Sequence, residues 1–278
     1  MPPPAKFVLS AFADEISPSL AEQVRVLEEL GVSGLDLRSV DGVNVLDLDN
    51  SILYKVHESC QAAGLHVQSI GSPVNKIPYD VLGQGRELDR LNKAIKIAQH
   101  INVKRIRIFA PEVPKELEQE LAPKILDWMR EQKDRADAQG VMLLLENDAR
   151  YYSAFPHISQ LLFDKLGGPS FKAAFDFANT VLIGYRPKDW FPWLLPHLDT
   201  LHIKDAVERE GKVVPAGQGD GEIGETLGYL IKEGWNGPLT LEPHLQAAGA
   251  FGGFSGEQLF REAVGALRSV LAEVGAEG

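Results

Sequence analysis

The sequence predicts a single α/β domain with a (β/α)8 (TIM) barrel, because short apolar runs alternate with longer helical stretches along the whole 278-residue chain. Eight such units over about 270 residues suit a fold whose usual size is about 250. No linker, repeat or low-complexity segment divides the chain, so one domain over residues 1–278 is expected. A doubly wound sheet would also alternate, but the turn after the first strand lacks the glycines of a phosphate-binding turn.

The predicted strands are short apolar runs that precede each helical stretch. They are Phe7–Ala11, Gly34–Leu37, His66–Ile70, Arg105–Phe109, Val141–Glu146, Ala173–Phe177, Thr200–Ile203 and Leu239–Glu242. The predicted helices have apolar residues three and four positions apart, as in Leu20, Val24 and Leu27. They cover about residues 18–30, 50–63, 86–101, 115–139, 155–166, 187–196, 224–233 and 256–273.

Composition excludes several classes of protein. Lys and Arg number 28 against 39 Asp and Glu, a formal charge of −11 that should repel nucleic acid. No apolar run approaches the roughly 20 residues of a membrane span. The first residues lack the layout of a secretory signal, so a cytoplasmic protein is expected. The single cysteine, Cys60, permits no internal disulfide and no cysteine-rich zinc site.

Ionisable residues end four consecutive predicted strands: Glu146, Asp176, His202 and Glu242. In this fold the carboxyl ends of the strands line the active site, and neighbouring strands lie only about 4.8 Å apart. Three carboxylates and one imidazole that meet there would form a site for one divalent cation, with Mn²⁺, Mg²⁺ or Co²⁺ favoured and zinc as a further candidate. The alternative is a set of salt-bridged or strand-capping residues.

Alternation along the strands adds a second layer to this site. Lys204 follows His202 by two residues and His244 follows Glu242 by two, so each pair shares a face and points toward the barrel mouth.

Other loops at this end of the barrel carry further candidates. Arg38 shares a face of the second strand with Asp36, and it serves either as a clamp for a substrate oxygen or as an ion-pair partner. Lys76, after the third strand, could reach a substrate hydroxyl or carboxylate. Glu15, just beyond the first strand, is a weaker candidate for the site.

The motifs at the strand ends resemble those of a known superfamily. Glu-Asn ends strand 5, Asp-x-x-Asn strand 6, His-x-Lys-Asp strand 7 and Leu-Glu-Pro-His strand 8. Together with the opening Phe-Ala-Asp-Glu-Ile-Ser, the Leu-Asp-Leu-Arg of strand 2 and the Gly-Gln-Gly-Asp-Gly of the strand-7 loop, they look like the xylose-isomerase-like superfamily of sugar isomerases and epimerases. The resemblance covers about residues 7–272.

The resemblance implies roles for these residues. Glu146, Asp176, His202 and Glu242 would hold the metal, and Glu146 and Glu242 would exchange protons with a small sugar or keto-sugar. The residues predicted to bind that substrate are Arg38, Lys76, Asn179, Lys204, Asp205 and His244. Asn179 stands where ketose 3-epimerases of this group have a histidine. Barrels of this group often pair through their helices, so a homo-oligomer is one form open to the chain.

The predicted reaction begins with removal of a proton next to a sugar carbonyl, which leaves an enediolate. Return of a proton gives an epimer or an isomer, whereas loss of a leaving group would make the enzyme a lyase, as in inosose or dehydroshikimate dehydratases. An apurinic endonuclease of the same architecture, a Schiff-base aldolase using Lys204 and a non-catalytic sugar-binding barrel are weaker alternatives.

Three remaining segments carry predictions of their own. The loop 214–222 is expected to be a turn-rich lid that positions Asp220 or Gln218 rather than a phosphate cradle. The glycines of Phe251-Gly-Gly-Phe254 predict a flap near the barrel mouth. Residues 276–278 are expected to fray.

Overall fold

The computed structural model describes residues 5–80, 82–246 and 253–278, and eight parallel strands in it close into a barrel. Their order around the barrel follows their order in the chain, and the last strand pairs with the first. These strands are β1 (Leu9–Ala11), β2 (Gly34–Leu37), β3 (His66–Gly71), β4 (Arg105–Ile108), β5 (Met142–Glu146), β6 (Phe171–Asp176), β7 (Leu198–Ile203) and β8 (Leu239–Leu241). The predicted fold class is confirmed.

Amphipathic helices cover the outside of the barrel. The α-helices of the described residues are α1 (Leu20–Leu30), α2 (Asn50–Ala62), α3 (Gly83–His100), α4 (Glu118–Gln139), α5 (Pro156–Leu166), α6 (Phe177–Leu182), α7 (Phe191–Leu194), α8 (Ile223–Lys232) and α9 (Gly256–Glu273). In α1 the predicted apolar positions Leu20, Val24 and Leu27 are buried, and the helix ends at Gly31, whose φ of 64° lies in the left-handed region. Most of the apolar core therefore lies between the sheet and the helices.

The barrel interior below the mouth is polar and hydrogen-bonded. Asp36 accepts bonds from the hydroxyls of Ser69 (2.5 Å) and Thr240 (3.2 Å), and the Thr240 hydroxyl also bonds the Ser10 hydroxyl (2.8 Å). All four residues are buried. Because each donor has a partner, this layer forms a stable floor beneath the strand ends.

The predicted continuous helix over 187–196 is wrong. Only Phe191–Leu194 is α-helical, flanked by the 3₁₀ turns Pro187–Asp189 and Leu195–His197. The physical reason is proline, which lacks the backbone N–H that a helix interior needs and stands at positions 187, 192 and 196. A short helix that the sequence analysis missed, α6, instead follows β6 directly.

The chain end also differs from the prediction. Ala276–Glu277 forms a two-stranded parallel sheet with Ala5–Lys6 rather than fraying. After β7 the chain forms an antiparallel hairpin of Asp205–Val207 and Lys212–Val214, which carries the loop predicted to be a lid. Residues 251 and 252 of the predicted flap lie outside the described residues. None of the described helices combines the length and the apolar character that crossing a bilayer requires.

Candidate active site

Four side chains meet at the carboxyl ends of β5 to β8. Glu146 and Asp176 are the last residues of β5 and β6, His202 lies near the end of β7, and Glu242 directly follows β8. Each residue offers one potential metal-ligand atom, and these four atoms lie within 4.8 Å of one another. All four residues are buried. The convergence expected from the strand ends is therefore present in the structure.

Three of the potential metal-ligand atoms in this cluster have no hydrogen-bond partner among the described residues: Asp176 Oδ2, His202 Nδ1 and Glu242 Oε2. His202 Nδ1 lies 3.4 Å from Glu242 Oε2 and 3.6 Å from Glu146 Oε2, without hydrogen-bond geometry. A buried polar atom left unpaired costs about 1–3 kcal/mol. Oxygen and nitrogen atoms that face one another in this way fit the ligand preferences of a divalent cation such as Mn²⁺ or Mg²⁺.

The local chain fixes the direction of the Asp176 carboxylate. Its Oδ1 caps α6 by accepting a bond from Asn179 N–H (2.8 Å), which leaves Oδ2 for the cluster. The Asn147 side chain binds the backbone of Asp176. Asn147 Oδ1 accepts a bond from Asp176 N–H (2.7 Å), and Asn147 Nδ2 donates to the Asp176 carbonyl (2.9 Å). Asn147 therefore links β5 to β6 at the point where both strands contribute to the cluster.

A buried cation faces each carboxylate of the cluster. The pairs are Arg107 Nη1 with Glu146 Oε2 (2.7 Å), Arg38 Nη1 with Glu242 Oε1 (2.9 Å) and Lys204 Nζ with Asp176 Oδ2 (2.6 Å). The cations compensate carboxylate charges that would otherwise be costly to bury. The Lys204–Asp176 contact is close but lies outside hydrogen-bond geometry.

These charges set the pKa values of the carboxylates. Burial opposes ionisation of Glu146, but the charges of Arg107, His202 and Lys204 together outweigh it and hold the pKa of Glu146 below its ordinary value. Burial is likewise outweighed at Glu242, whose pKa lies well below the ordinary range because of positive groups such as Lys204. At Asp176 burial prevails and raises the pKa to about 6. Glu146 and Glu242 are therefore ionised at neutral pH.

Sequence comparison decides the family. The model of the family described as xylose isomerase-like TIM barrel matches residues 24–270, most of the chain. The chain belongs to the xylose isomerase-like TIM barrel family. No curated protein sequence matches it.

Solved structures share the fold of this xylose isomerase-like barrel at low identity. A D-tagatose 3-epimerase-like protein is 14% identical, with a TM-score of 0.77 over 97% of this chain and 98% of the other. A probable 3-DHS dehydratase of petrobactin synthesis from Bacillus anthracis is 16% identical, with a TM-score of 0.75 over 94% and 98%. A xylose isomerase-like TIM barrel protein from Mycobacterium smegmatis, solved in complex with magnesium, is 17% identical, with a TM-score of 0.69 over 98% of both chains.

Lys204 would be the Schiff-base nucleophile if this xylose isomerase-like barrel were an aldolase. It is buried, which would lower its pKa, but Asp176 and Glu242 outweigh burial and raise the pKa. The nearby carboxylates therefore favour the protonated form of this amine. A Schiff-base nucleophile must be neutral, so the surroundings of Lys204 disfavour an aldolase.

Three other predicted residues lie next to the cluster. Arg38 also pairs with Asp14 (2.9 Å), so its guanidinium is occupied by carboxylates. Asn179 Nδ2 lies 3.5 Å from Glu146 Oε1. His244, whose φ of 47° is left-handed, has its Nε2 3.3 Å from Glu242 Oε1.

Glu15 is buried beside His244 and completes this side of the mouth. Glu15 Oε2 accepts hydrogen bonds from the backbone N–H of His244 (3.1 Å) and from the Ser255 hydroxyl (2.8 Å). Glu15 Oε1 lies 3.1 Å from the ring nitrogen Nε2 of His244. Glu15, Glu242 and His244 thus offer a second set of potential metal-ligand atoms within 4.8 Å of one another. Arg38 Nη2 lies 3.7 Å from Glu15 Oε1, so positive charge is already present there.

Asp205, which is predicted to bind substrate, lies beneath the glycine loop that follows β7. Its oxygens accept backbone N–H bonds from the glycine loop, at 2.9 Å from Gly217, 3.0 Å from Gly219 and 2.9 Å from Gly221. Burial outweighs these bonds and raises the pKa of Asp205. Its carboxylate organises the loop after β7, which fits its complete burial. Asp220, expected to be positioned by the loop, accepts a bond from Glu208 N–H (2.9 Å).

Sequence reasoning missed Arg107 and Asp14. Arg107 lies on β4, where alternation with Ile106 and Ile108 could have shown that its side chain faces the barrel interior. A positive charge at that position indicates a buried carboxylate partner, here Glu146. Asp14 lies in the turn after β1, and no spacing rule in the sequence connects it with Arg38.

Proposed function

We propose that this protein is a divalent-metal-dependent isomerase or epimerase of a sugar or keto-sugar, which acts by proton abstraction next to a carbonyl. The observation that carries the proposal is the convergence of donor atoms from Glu146, Asp176, His202 and Glu242 within 4.8 Å. Those residues would hold one Mn²⁺, Mg²⁺ or Co²⁺ ion. Such an ion, when bound, polarises the substrate carbonyl and stabilises negative charge on its oxygen.

Glu146 and Glu242 are the proposed proton-transfer groups. Both are buried and ionised, and each is oriented by an arginine, Arg107 or Arg38. One carboxylate takes the proton from the carbon next to the carbonyl, which leaves an enediolate. Return of the proton by the same carboxylate to the neighbouring carbon gives an isomer. Protonation of the opposite face by the second carboxylate, which must first take up a proton from solvent, gives an epimer.

The remaining polar groups would bind the substrate oxygens. Lys204 is protonated and lies 2.6 Å from Asp176 Oδ2 and 3.8 Å from Glu242 Oε2, where it can donate to a hydroxyl or alkoxide. Asn179 offers an amide donor next to Glu146. We assign both to substrate orientation, together with His244 at the mouth.

Elimination is the second candidate reaction. It begins with the same proton abstraction but ends with loss of a β-substituent, whose departure as water needs a proton donor. The protonated, buried Lys204 beside Glu242 is a suitable donor, and this observation favours a dehydratase as the alternative. Product mass separates the two reactions, since only elimination removes water.

The proposed partner is a small molecule, because the cluster lies inside the barrel mouth and the chain carries a formal charge of −11. We propose a cytoplasmic location and no nucleic-acid or membrane partner. A homo-oligomer remains a prediction from the family resemblance.

The direct experiment is hydrogen exchange in D₂O with the Mn²⁺-loaded protein and a panel of keto-sugars. We expect the wild type to place solvent deuterium on a carbon next to the carbonyl. Glu146→Gln and Glu242→Gln should each abolish this exchange while circular dichroism stays unchanged. Glu120→Gln, at an exposed position of α4, is the control and should exchange at the wild-type rate. Unchanged exchange in both site variants would contradict the proposal.

A further inference from the structure

Two cations lie against one aromatic ring beside the proposed proton-transfer group Glu146. The guanidinium carbon of Arg107 is 4.4 Å from the centroid of the Phe109 ring, and Lys76 Nζ is 4.6 Å from the same centroid. Arg107 reaches Glu146 through Nη1 at 2.7 Å. Two cations therefore lie beside the cluster on the side of β3 to β5, separate from Lys204 on β7, and each has one carboxylate partner, Glu146 or Asp148.

The guanidinium of Arg107 has a hydrogen-bond donor without an acceptor among the described residues. Its Nη1 donates to Glu146, but its Nε is buried without a hydrogen-bond partner in the part of the chain that the structure describes. Nε and Nη2 form the edge of a guanidinium that binds a carboxylate through two parallel hydrogen bonds. Leaving a buried charged donor unpaired costs at least about 1–3 kcal/mol, so this edge favours an acceptor of negative charge.

Lys76 supplies the second positive charge and remains accessible. Its side chain is 30% exposed, with Nζ 3.3 Å from Asp148 Oδ2 and 5.9 Å from the centroid of the Tyr151 ring. Contact with Phe109 and Tyr151 replaces part of the water around the ammonium group, which strengthens its attraction to an anion.

A buried network fixes the loop that carries Lys76. The preceding residue, Asn75, has a left-handed φ of 65°, which is strained for a residue other than glycine. Its Nδ2 donates to the Phe109 carbonyl (2.8 Å) and to Gln132 Oε1 (2.8 Å), and its N–H donates to Glu87 Oε2 (2.6 Å). Asn75 is fully buried. This network fixes the backbone from which the Lys76 side chain extends to the Phe109 ring.

We infer that the substrate carries a carboxylate, bound jointly by Arg107 and Lys76 above the Phe109 ring. A carboxylate would complete the Nε edge of Arg107 and face the ammonium of Lys76 with negative oxygen atoms, which bind these cations more strongly than the neutral hydroxyls of a sugar. The substrate class is therefore a sugar acid or a related polyhydroxylated keto acid. This assignment rests on the proposed function for the position of the reacting carbons near Glu146.

Equilibrium binding tests the inference independently of turnover. Calorimetry on the Mn²⁺-loaded protein would compare five- and six-carbon aldonates and uronates with their neutral counterparts, and with the matching sugar phosphates. We expect at least one carboxylate to bind about tenfold or more tightly than its neutral counterpart, about 1.4 kcal/mol. Lys76→Gln should remove most of that preference and Lys76→Arg should retain it. Lys96→Gln, an exposed lysine of α3, should leave it unchanged.

The outcomes separate this inference from the proposed function. Equal binding of neutral and carboxylate ligands, tighter binding of phosphates, or an unaltered preference in Lys76→Gln would each overturn the carboxylate assignment. Deuterium exchange into neutral keto-sugars would still support the enzyme under those results. Conversely, preferential carboxylate binding without deuterium exchange in any substrate would support the subsite and contradict the proposed reaction.

Discussion

Arg107 Nη1 donates a 2.7 Å hydrogen bond to Glu146 Oε2, which joins neighbouring strands β4 and β5 at the edge of the proposed metal site. Both side chains are buried, so neither charge has much contact with water. The pair keeps Glu146 ionised and fixes the direction of one of its oxygens. The same carboxylate therefore forms a structural ion pair and is the proposed proton-transfer group.

Removal of Arg107 should destabilise the fold strongly. Arg107→Leu leaves Glu146 buried without its closest positive partner, and breaking a buried pair in this way costs about 3–5 kcal/mol. We expect a loss of that size in the free energy of unfolding, measured by urea denaturation in the presence of a chelator. Arg86→Leu is the control, because Arg86 lies 3.7 Å from Asp80 with both side chains largely exposed. Equal stability of both variants would show that the Arg107 pair contributes little.

The glycine loop after β7 should not tolerate a side chain facing Asp205. A Cβ added at Gly219 would lie 2.5 Å from Asp205 Oδ1, and the loop N–H bonds leave that carboxylate no room to move. Gly219→Ala should lower the free energy of unfolding by about 1–3 kcal/mol. Gly265→Ala, in the open interior of α9, should instead raise it by about 0.5–1 kcal/mol. Thermal denaturation that shifts both variants in the same direction would contradict this account of the loop.

The stability of the protein should fall at alkaline pH partly because of Cys60. Burial raises the pKa of this thiol to about 11, against about 8.5 in an unfolded chain. The folded state therefore holds the proton more tightly, so its advantage is complete below about pH 8.5 and declines as pH rises through 11. At pH 10 the loss is about 2 kcal/mol.

Cys60→Ala isolates this effect, because the variant lacks the titrating group. Urea denaturation of both proteins at pH 7 and pH 10 should show a larger loss of stability in the wild type. A difference between pH values that is the same for both proteins would show that the thiol does not ionise more readily on unfolding.

The sequence was sufficient to predict the barrel and the four clustered side chains, because both depend on regular periodicity. Each clustered side chain stands at or beside the end of an apolar strand, and parallel strands in a closed barrel bring such ends together. Their distances along the chain, each close to one β/α unit, carry the same information. The assignment of these residues to a metal nevertheless stays a prediction from chemistry.

Contacts between distant parts of the chain could not be predicted from local patterns. Arg38 pairs with Asp14 and Glu242, which are 24 and 204 residues away, so no sequence spacing identifies these partners. Asp205 belongs to a motif that resembles substrate-binding residues, yet its carboxylate binds the backbone of a loop up to 16 residues further along. Such roles depend on where the loop folds back, which composition does not specify.

Metal content tests the central claim most directly. After incubation with Mn²⁺ and removal of free ions by gel filtration, mass spectrometry of the wild type should find one ion per chain. The Asp176→Asn/His202→Gln double variant should retain only traces, while the exposed control Asp89→Asn/His100→Gln should bind like the wild type. A wild type without bound metal across Mn²⁺, Mg²⁺, Co²⁺ and Zn²⁺, or a double variant that binds as much as the wild type, would contradict the account.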